Sequence, residues 1–490
     1  MKRVVVAAGR CFSGTLALAA VVVFFHSCSL PAQDTVPTAA PVGGDVPVST
    51  EADTLAQPEA VDIPGFPLFE EGVKLFAAGD EAGALAKLEE FNTLQEVKTP
   101  PKVRLATLAL QGGDPGMAQR LFDESTRDYP DAPEPYVILG NLDRASGRLV
   151  GASLLFARGL ELADTLGDAA RAKQSKIQVH TGLAQLATTR EDFVALRHEA
   201  EAILAMDSES IAGLSFMANC LFEEGDVDGT LARLEEVKKL APDAVISPKV
   251  TLALSFQNKG DAANAQKWMV EAVKEDLRSI PIRLAAADWA MQAGQIKQAA
   301  EQLDIALQLD AKSVVALHAR GVAALIQKDY AKAEEFLSKA DELGDGNPML
   351  RNDLILALAM QNDPVKKQDA VGMAQANVQG HPNQAEAVGT FGWVLSRYGQ
   401  SERAEQLLGQ ACSSGMPISE NTLYFFARVL VDRGKKAESL MVLNTPAMKN
   451  SKFYIMKADA DSLRTTLESD PTLRREPVTD VPPPLAVTAQ

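Results

Sequence analysis

The chain has 490 residues, 46% hydrophobic but only 6% aromatic, so it is long enough for one extended array and favours many small Ala/Leu contacts over one aromatic core. Its formal net charge of -17 argues against nucleic acid, which needs a clustered positive surface, and against lying flat on an anionic membrane. Four cysteines (Cys11, Cys28, Cys220 and Cys412) without a CxxC or Cys/His cluster give no disulfide framework and no zinc signature.

Lys2, Arg3 and Arg10 make a positive start, and the apolar run Leu16 to Phe25 follows. The pattern predicts an export signal, too short for a convincing spanning helix. Cleavage after Ala32 and cleavage before Cys28 are both compatible with it. The string FHSC partly resembles a bacterial lipoprotein box. Ser27 is the small residue wanted before the cysteine, whereas Phe25 and His26 depart from the pattern. Lipidation at Cys28 is therefore one expectation and simple secretion the other. Ser29 behind a lipidated Cys28 resembles lipoproteins sent to the outer membrane. Residues 29–63 are rich in Pro, Ala, Thr, Val and Asp without a helical period, which predicts a disordered tether.

From residue 64 the chain repeats itself. Gly79, Gly113 and Gly147 are spaced by 34 residues; Gly225, Gly260 and Gly294 follow at 35 and 34; Gly399 and Gly434 are 35 apart. A glycine at that place ends a first helix, where the tight turn wants positive φ. Asp80, Asp114, Asp226 and Asp261 come next and suit the cap of a second helix. The stretch from Gly147 to Gly225 has room for one hidden repeat with a longer linker. The stretch from Gly294 to Gly399 has room for two with a small insertion.

Other residues fall into the same frame. Tyr136, Leu139, Gly140, Gly147, Ala152, Phe156 and Gly159 alternate large and small slots, as do Phe391, Gly392, Leu395, Gly399, Ala404, Leu408 and Ala411. Small helix-A residues (Gly140, Ala218, Gly321, Gly392) are expected to face small helix-B residues (Ala84, Ala118, Ala152, Ala265, Ala299, Ala333, Ala404). The frame resembles the tetratricopeptide repeat family over nearly the whole body, about eleven units between roughly Pro64 and Asn450, with a Sel1-like stack as the structural alternative. Repeat four has Arg190 and Glu191 at the turn, repeat eight Lys328 and Asp329; repeat nine carries extra residues in PVKKQ; repeat eleven is short. The resemblance implies an all-α, right-handed superhelix. Residues 451–470 are expected to form a capping helix and 471–490 a disordered tail.

No GxSxG, HExxH or phosphate-loop string occurs. The five histidines show no metal-ligand spacing, so neither catalysis nor a cofactor or metal is expected. The repeats leave no stretch able to bury a catalytic core. The resemblance instead implies a groove lined by the first helices that receives a protein or peptide. There Asn141, Arg144, Asn219, Trp393 and Arg397 are the candidate contacts, with Trp393 and Arg397 foremost. Packing between hairpins is the competing assignment for Trp393. Chaperone-docking members of the family grip a peptide carboxylate with Lys and Asn. Here Val137 and Ser215 hold the basic positions, so that clamp is not expected. The readings left are an envelope scaffold, a periplasmic chaperone or adaptor, and a non-catalytic subunit of an envelope enzyme. The location is envelope lipoprotein, or soluble periplasmic or secreted protein.

Overall fold

The computed structural model describes residues 64–95, 99–382, 384–413 and 418–473. The export signal, Cys28, the tether and the tail beyond residue 473 lie outside the described residues. Within them there are twenty-four helices, the first twenty-two in eleven antiparallel pairs of consecutive helices. The fold is an all-α repeat array, as the sequence frame implies.

The chain divides into two compact units, Met1–Leu252 and Ala253–Gln490. In unit 1 the pairs are α1 (Phe66–Ala77) with α2 (Glu81–Thr93), α3 (Pro101–Gln111) with α4 (Pro115–Asp128), α5 (Glu134–Ala145) with α6 (Leu149–Thr165), α7 (Ala169–Thr189) with α8 (Phe193–Met206), and α9 (Ile211–Glu223) with α10 (Val227–Leu240). The division falls within α11 (Pro248–Asn258), which α12 (Ala262–Glu275) follows in the chain. Unit 2 continues with α13 (Ile280–Gln292) and α14 (Ile296–Leu309), α15 (Val314–Ile326) and α16 (Tyr330–Leu343), α17 (Pro348–Ala359) and α18 (Pro364–Gly380), α19 (Ala385–Arg397) and α20 (Ser401–Ser413), and α21 (Glu420–Asp432) and α22 (Lys436–Leu443). The short α23 (Pro446–Asn450) and α24 (Lys457–Glu468) end it.

The turns explain the period. All eight glycines of the frame have positive φ, between 73° and 84°. At Gly79 the amide donates to Phe76 O and the next amide, Asp80 N, reaches back to Leu75 O, both at 2.9 Å, satisfying carbonyls that the helix end leaves free. Asp80 then caps α2 by accepting from Gly83 N, and Asp114, Asp226 and Asp261 do the same for α4, α10 and α12. Each such cap is worth about 1 kcal/mol. Where the glycine is missing the geometry persists, since Glu191 (φ 56°) and Lys328 (φ 61°) take the left-handed position themselves.

Two expectations need correcting. The extra residues of repeat four do not form a longer linker. They lengthen α6 to 17 residues and α7 to 21. Helix-forming AARAKQSK starts on the Asp168 cap, which accepts from Arg171 N. The Arg171 guanidinium then grips Glu134 at the start of α5 with two bonds of 2.7 and 2.9 Å, so the added turn has a partner to fold against. Secondly, the seven small helix-B residues are fully buried, but the helix-A glycines oppose the large residue one turn further on. Gly140 is met by Phe156, Gly321 by Leu337 and Gly392 by Leu408. The bulky side chain needs the gap, and the alanine merely lets the helices close around it.

Candidate functional site

Within unit 2 the first helices of successive pairs, α17, α19 and α21, pack beside one another. Trp393 on α19 lies against α21. Its ring stacks on Phe425 with centroids 4.8 Å apart at 14°, and Tyr424 leans on it at 6.1 Å. Only 4% of Trp393 is exposed, so the indole packs between adjacent hairpins. Arg397, one turn further, is exposed, with its guanidinium carbon 5.9 Å from the Trp393 centroid. The predicted pair is thus adjacent in space, as a buried aromatic floor and an exposed cation above it.

The two residues open into a cleft of ≈ 270 Å³. Ser396 joins them from α19; Tyr424, Arg428 and Asp432 line it from α21; Met360 comes from the turn after α17, Lys328 from the turn before α16 and Tyr330 from its first residue. Met456 and Asp459, at the start of α24, complete the wall. The segment entering α24 is fastened to α21 by Met456 N donating to Asn421 Oδ1 at 3.1 Å. Across the cleft Lys328 Nζ pairs with Asp459 Oδ1 at 2.7 Å, joining residues 131 positions apart.

The charges can be assigned one by one. Lys328 pairs with Asp459, and Arg428 pairs with Asp432 at 2.9 Å. The Asp459 hydrogen bond raises the Lys328 pKa. Arg397 makes no ion pair with any described residue, so the cleft of an acidic protein carries one uncompensated positive charge. Burial raises the pKa of the Tyr330 and Tyr424 phenols, the latter to about 12. Both therefore stay protonated donors at neutral pH. Trp393 Nε1 is buried and has no acceptor.

The remaining predicted contacts lie in unit 1. Asn141 and Arg144 share α5, both half-buried; Asn141 Oδ1 and Arg144 Nε have no hydrogen-bond partner, and burial lowers the Arg144 pKa. Asn219 stands half-buried on α9. The sequence frame missed most of the cleft. The 35-residue step from Gly399 to Gly434 could have found Arg428, which occupies in repeat eleven the slot of Trp393, as Asp432 does that of Arg397. No local signal marks the return of Asp459 to Lys328.

Among the described residues no cluster of three or more His, Cys, Asp or Glu side chains could hold a metal ion, and no helix is long and apolar enough to cross a membrane. Cys220 and Cys412 are free thiols. The cleft offers hydrogen bonds, charge and aromatic surface, and no pairing of nucleophile with base.

No family model matches the chain. No curated protein matches it either. Among solved structures, the chain is similar to a tetratricopeptide repeat protein from Parabacteroides merdae (13% identity, 53% of this chain, 98% of that one, TM-score 0.42). It is also similar to yeast Tom70 (14% identity, 84% and 98%, TM-score 0.36) and to a thermophilic tetratricopeptide repeat protein of Thermus thermophilus (16% identity, 39% and 98%, TM-score 0.33). At these identities and scores none of them assigns a partner.

Proposed function

We propose that the protein is a protein–protein interaction module of the bacterial cell envelope, a scaffold that binds a partner polypeptide through the faces of its first helices. The observation that carries this reading is the cleft of unit 2, where an exposed Arg397 stands over the buried Trp393 beside Tyr330 and Tyr424. Arg, Trp and Tyr dominate the energy of protein interfaces, and a repeat array presents them on a broad, fixed surface. The envelope location rests on the sequence signal of residues 1–28, with Cys28 as lipid anchor and residues 29–63 as tether. A chaperone holding many clients, and a non-catalytic subunit of an envelope enzyme, are the other occupations such a surface supports.

Crosslinking of intact envelopes followed by mass spectrometry tests this. A scaffold gives one stoichiometric partner, a chaperone many substoichiometric ones, and no crosslinked protein at all ends the reading. Metabolic labelling with a lipid precursor tests the anchor separately; labelling that survives Cys28→Ala removes it.

A further inference from the structure

We infer that the unit 2 cleft is the docking point for an acidic segment of the partner polypeptide, and that Asp459 holds part of this site until the segment arrives. The inference deepens the proposed function and rests on it. Three independent observations meet here. The cleft has three cations, Lys328, Arg397 and Arg428, against two carboxylates, Asp432 and Asp459, and Arg397 is the unpaired one. Arg397 is exposed, with its guanidinium carbon 5.9 Å from the Trp393 centroid, and a free guanidinium can take a carboxylate with two parallel hydrogen bonds. Trp393 lines the same cleft and is 96% buried, and its Nε1 has a proton and no acceptor. A buried donor without an acceptor marks a place where a ligand oxygen would be gained.

The third observation is the closure. Asp459 reaches Lys328 from the far end of the chain, and Met456 and Asp459 wall the cleft on that side. Asp459 is itself a carboxylate on a cleft cation, so it stands where a partner's carboxylate would stand. Displacing it frees Lys328. The site differs from a clamp built on one helix position in successive repeats. Its cations come from the end of α19, from α21 and from the left-handed turn residue before α16.

The test is selection of a random, end-blocked peptide library on the immobilised full-length chain, followed by affinity measurement of the selected peptides in solution. The expected peptides are enriched in Asp and Glu. Arg397→Ala weakens them at least about tenfold, as loss of a charge-assisted pair should, and Arg397→Lys restores part of the loss. Asp459→Asn tightens them several-fold because Lys328 is released, and adding Lys328→Ala cancels that gain. Arg397 is exposed, so its variant keeps the thermal transition of the parent. Peptides without acidic enrichment, equal binding to Arg397→Ala, or Asp459→Asn that weakens binding would each overturn the inference. So would displacement of the peptide by millimolar acetate, which marks a site for small anions. A crosslinked envelope partner whose contacts survive Arg397→Ala removes this docking point while leaving the interaction module intact.

Discussion

Phe156 packs against two glycines, Gly140 and Gly182, and this sets a quantitative test. A Cβ added to Gly140 would lie 2.7 Å from Phe156 Cε1 and 2.9 Å from Cδ1. Carbon atoms rest about 3.5–4.0 Å apart, so the ring would have to retreat by roughly 1 Å. Phe156 is fully buried in a cluster with Val137, Val179 and Leu186, so the retreat meets packed side chains, and on α7 Gly182 faces the same ring edge. Overpacking a clamped site costs about 2–3 kcal/mol, and replacing a helical glycine by alanine returns about 1 kcal/mol. Gly140→Ala should therefore cost about 1–2 kcal/mol net. Phe156→Leu alone should cost about 1.5 kcal/mol in lost burial. Together they should cost at least about 0.5 kcal/mol less than their sum, since the shorter leucine vacates the space that the new methyl needs. Tryptophan fluorescence cannot report this, because Trp268, Trp289 and Trp393 all belong to unit 2. A long repeat array also need not unfold in one step. Hydrogen exchange of the α5–α7 amides, read by mass spectrometry, measures the local opening free energy directly. Unchanged protection in Gly140→Ala, or strict additivity in the double variant, would refute the account of the glycine as space for Phe156.

The turn residues give a second test: Gly147→Ala should lower protection around α5 and α6 by about 1 kcal/mol, while Glu191→Gly should raise it around α7 and α8 by up to about 1 kcal/mol, since only the latter relieves a left-handed side chain. The opposite sign in either variant would remove strain from the explanation. At His318, burial works to lower the pKa, but the hydrogen bond and charge of Asp353 at 2.7 Å outweigh it, and the net shift is upward. A raised folded pKa means the native state binds the extra proton. This contribution is therefore full below the unfolded value of about 6.5 and is lost as pH rises through the folded pKa. Hydrogen exchange of α15 and α17 should show it, and a His318→Gln variant that keeps the same pH dependence would disprove it. Burial pushes the Cys220 thiol up to about 11 and Cys412 up to about 12, so both should alkylate far more slowly than an exposed thiol at pH 8. Site-resolved mass spectrometry checks this, and labelling at the rate of a model thiol would contradict it.

Much of the fold was legible because each turn writes its chemistry into adjacent residues. A glycine with positive φ and an aspartate cap are local requirements, so their recurrence showed eleven hairpins before any long-range contact was known. What local chemistry does not encode was lost. The 21-residue α7 depends on Arg171 meeting Glu134, 37 residues away, and a period count reads those added residues as linker. At the site, helical spacing put Trp393 and Arg397 one turn apart, yet it left open whether the indole faces solvent or the next hairpin. The answer lies with Phe425, in the neighbouring repeat. Asp459 could not be assigned to the cleft at all, because the path from α22 to α24 follows no repeat.

How α24 is held decides which part of the cleft can move. Its inner face buries Ala460, Leu463 and Leu467 in the core of unit 2. Each buried leucine is worth about 1.5–3 kcal/mol. Arg464 adds a hydrogen bond to Leu443 O at 3.1 Å. The link across the cleft is of another order. Lys328 and Asp459 are 56% and 33% exposed, and such surface pairs contribute about 0–1 kcal/mol and weaken with salt. A competing carboxylate can therefore break the ion pair without undocking the helix. Opening should be a local event at Met456–Asp459, sensitive to ionic strength, with α24 still protected from exchange. If raised salt instead exposed the amides of the whole helix, the ion pair would be holding α24 in place, and the apolar burial on its inner face would have been overvalued.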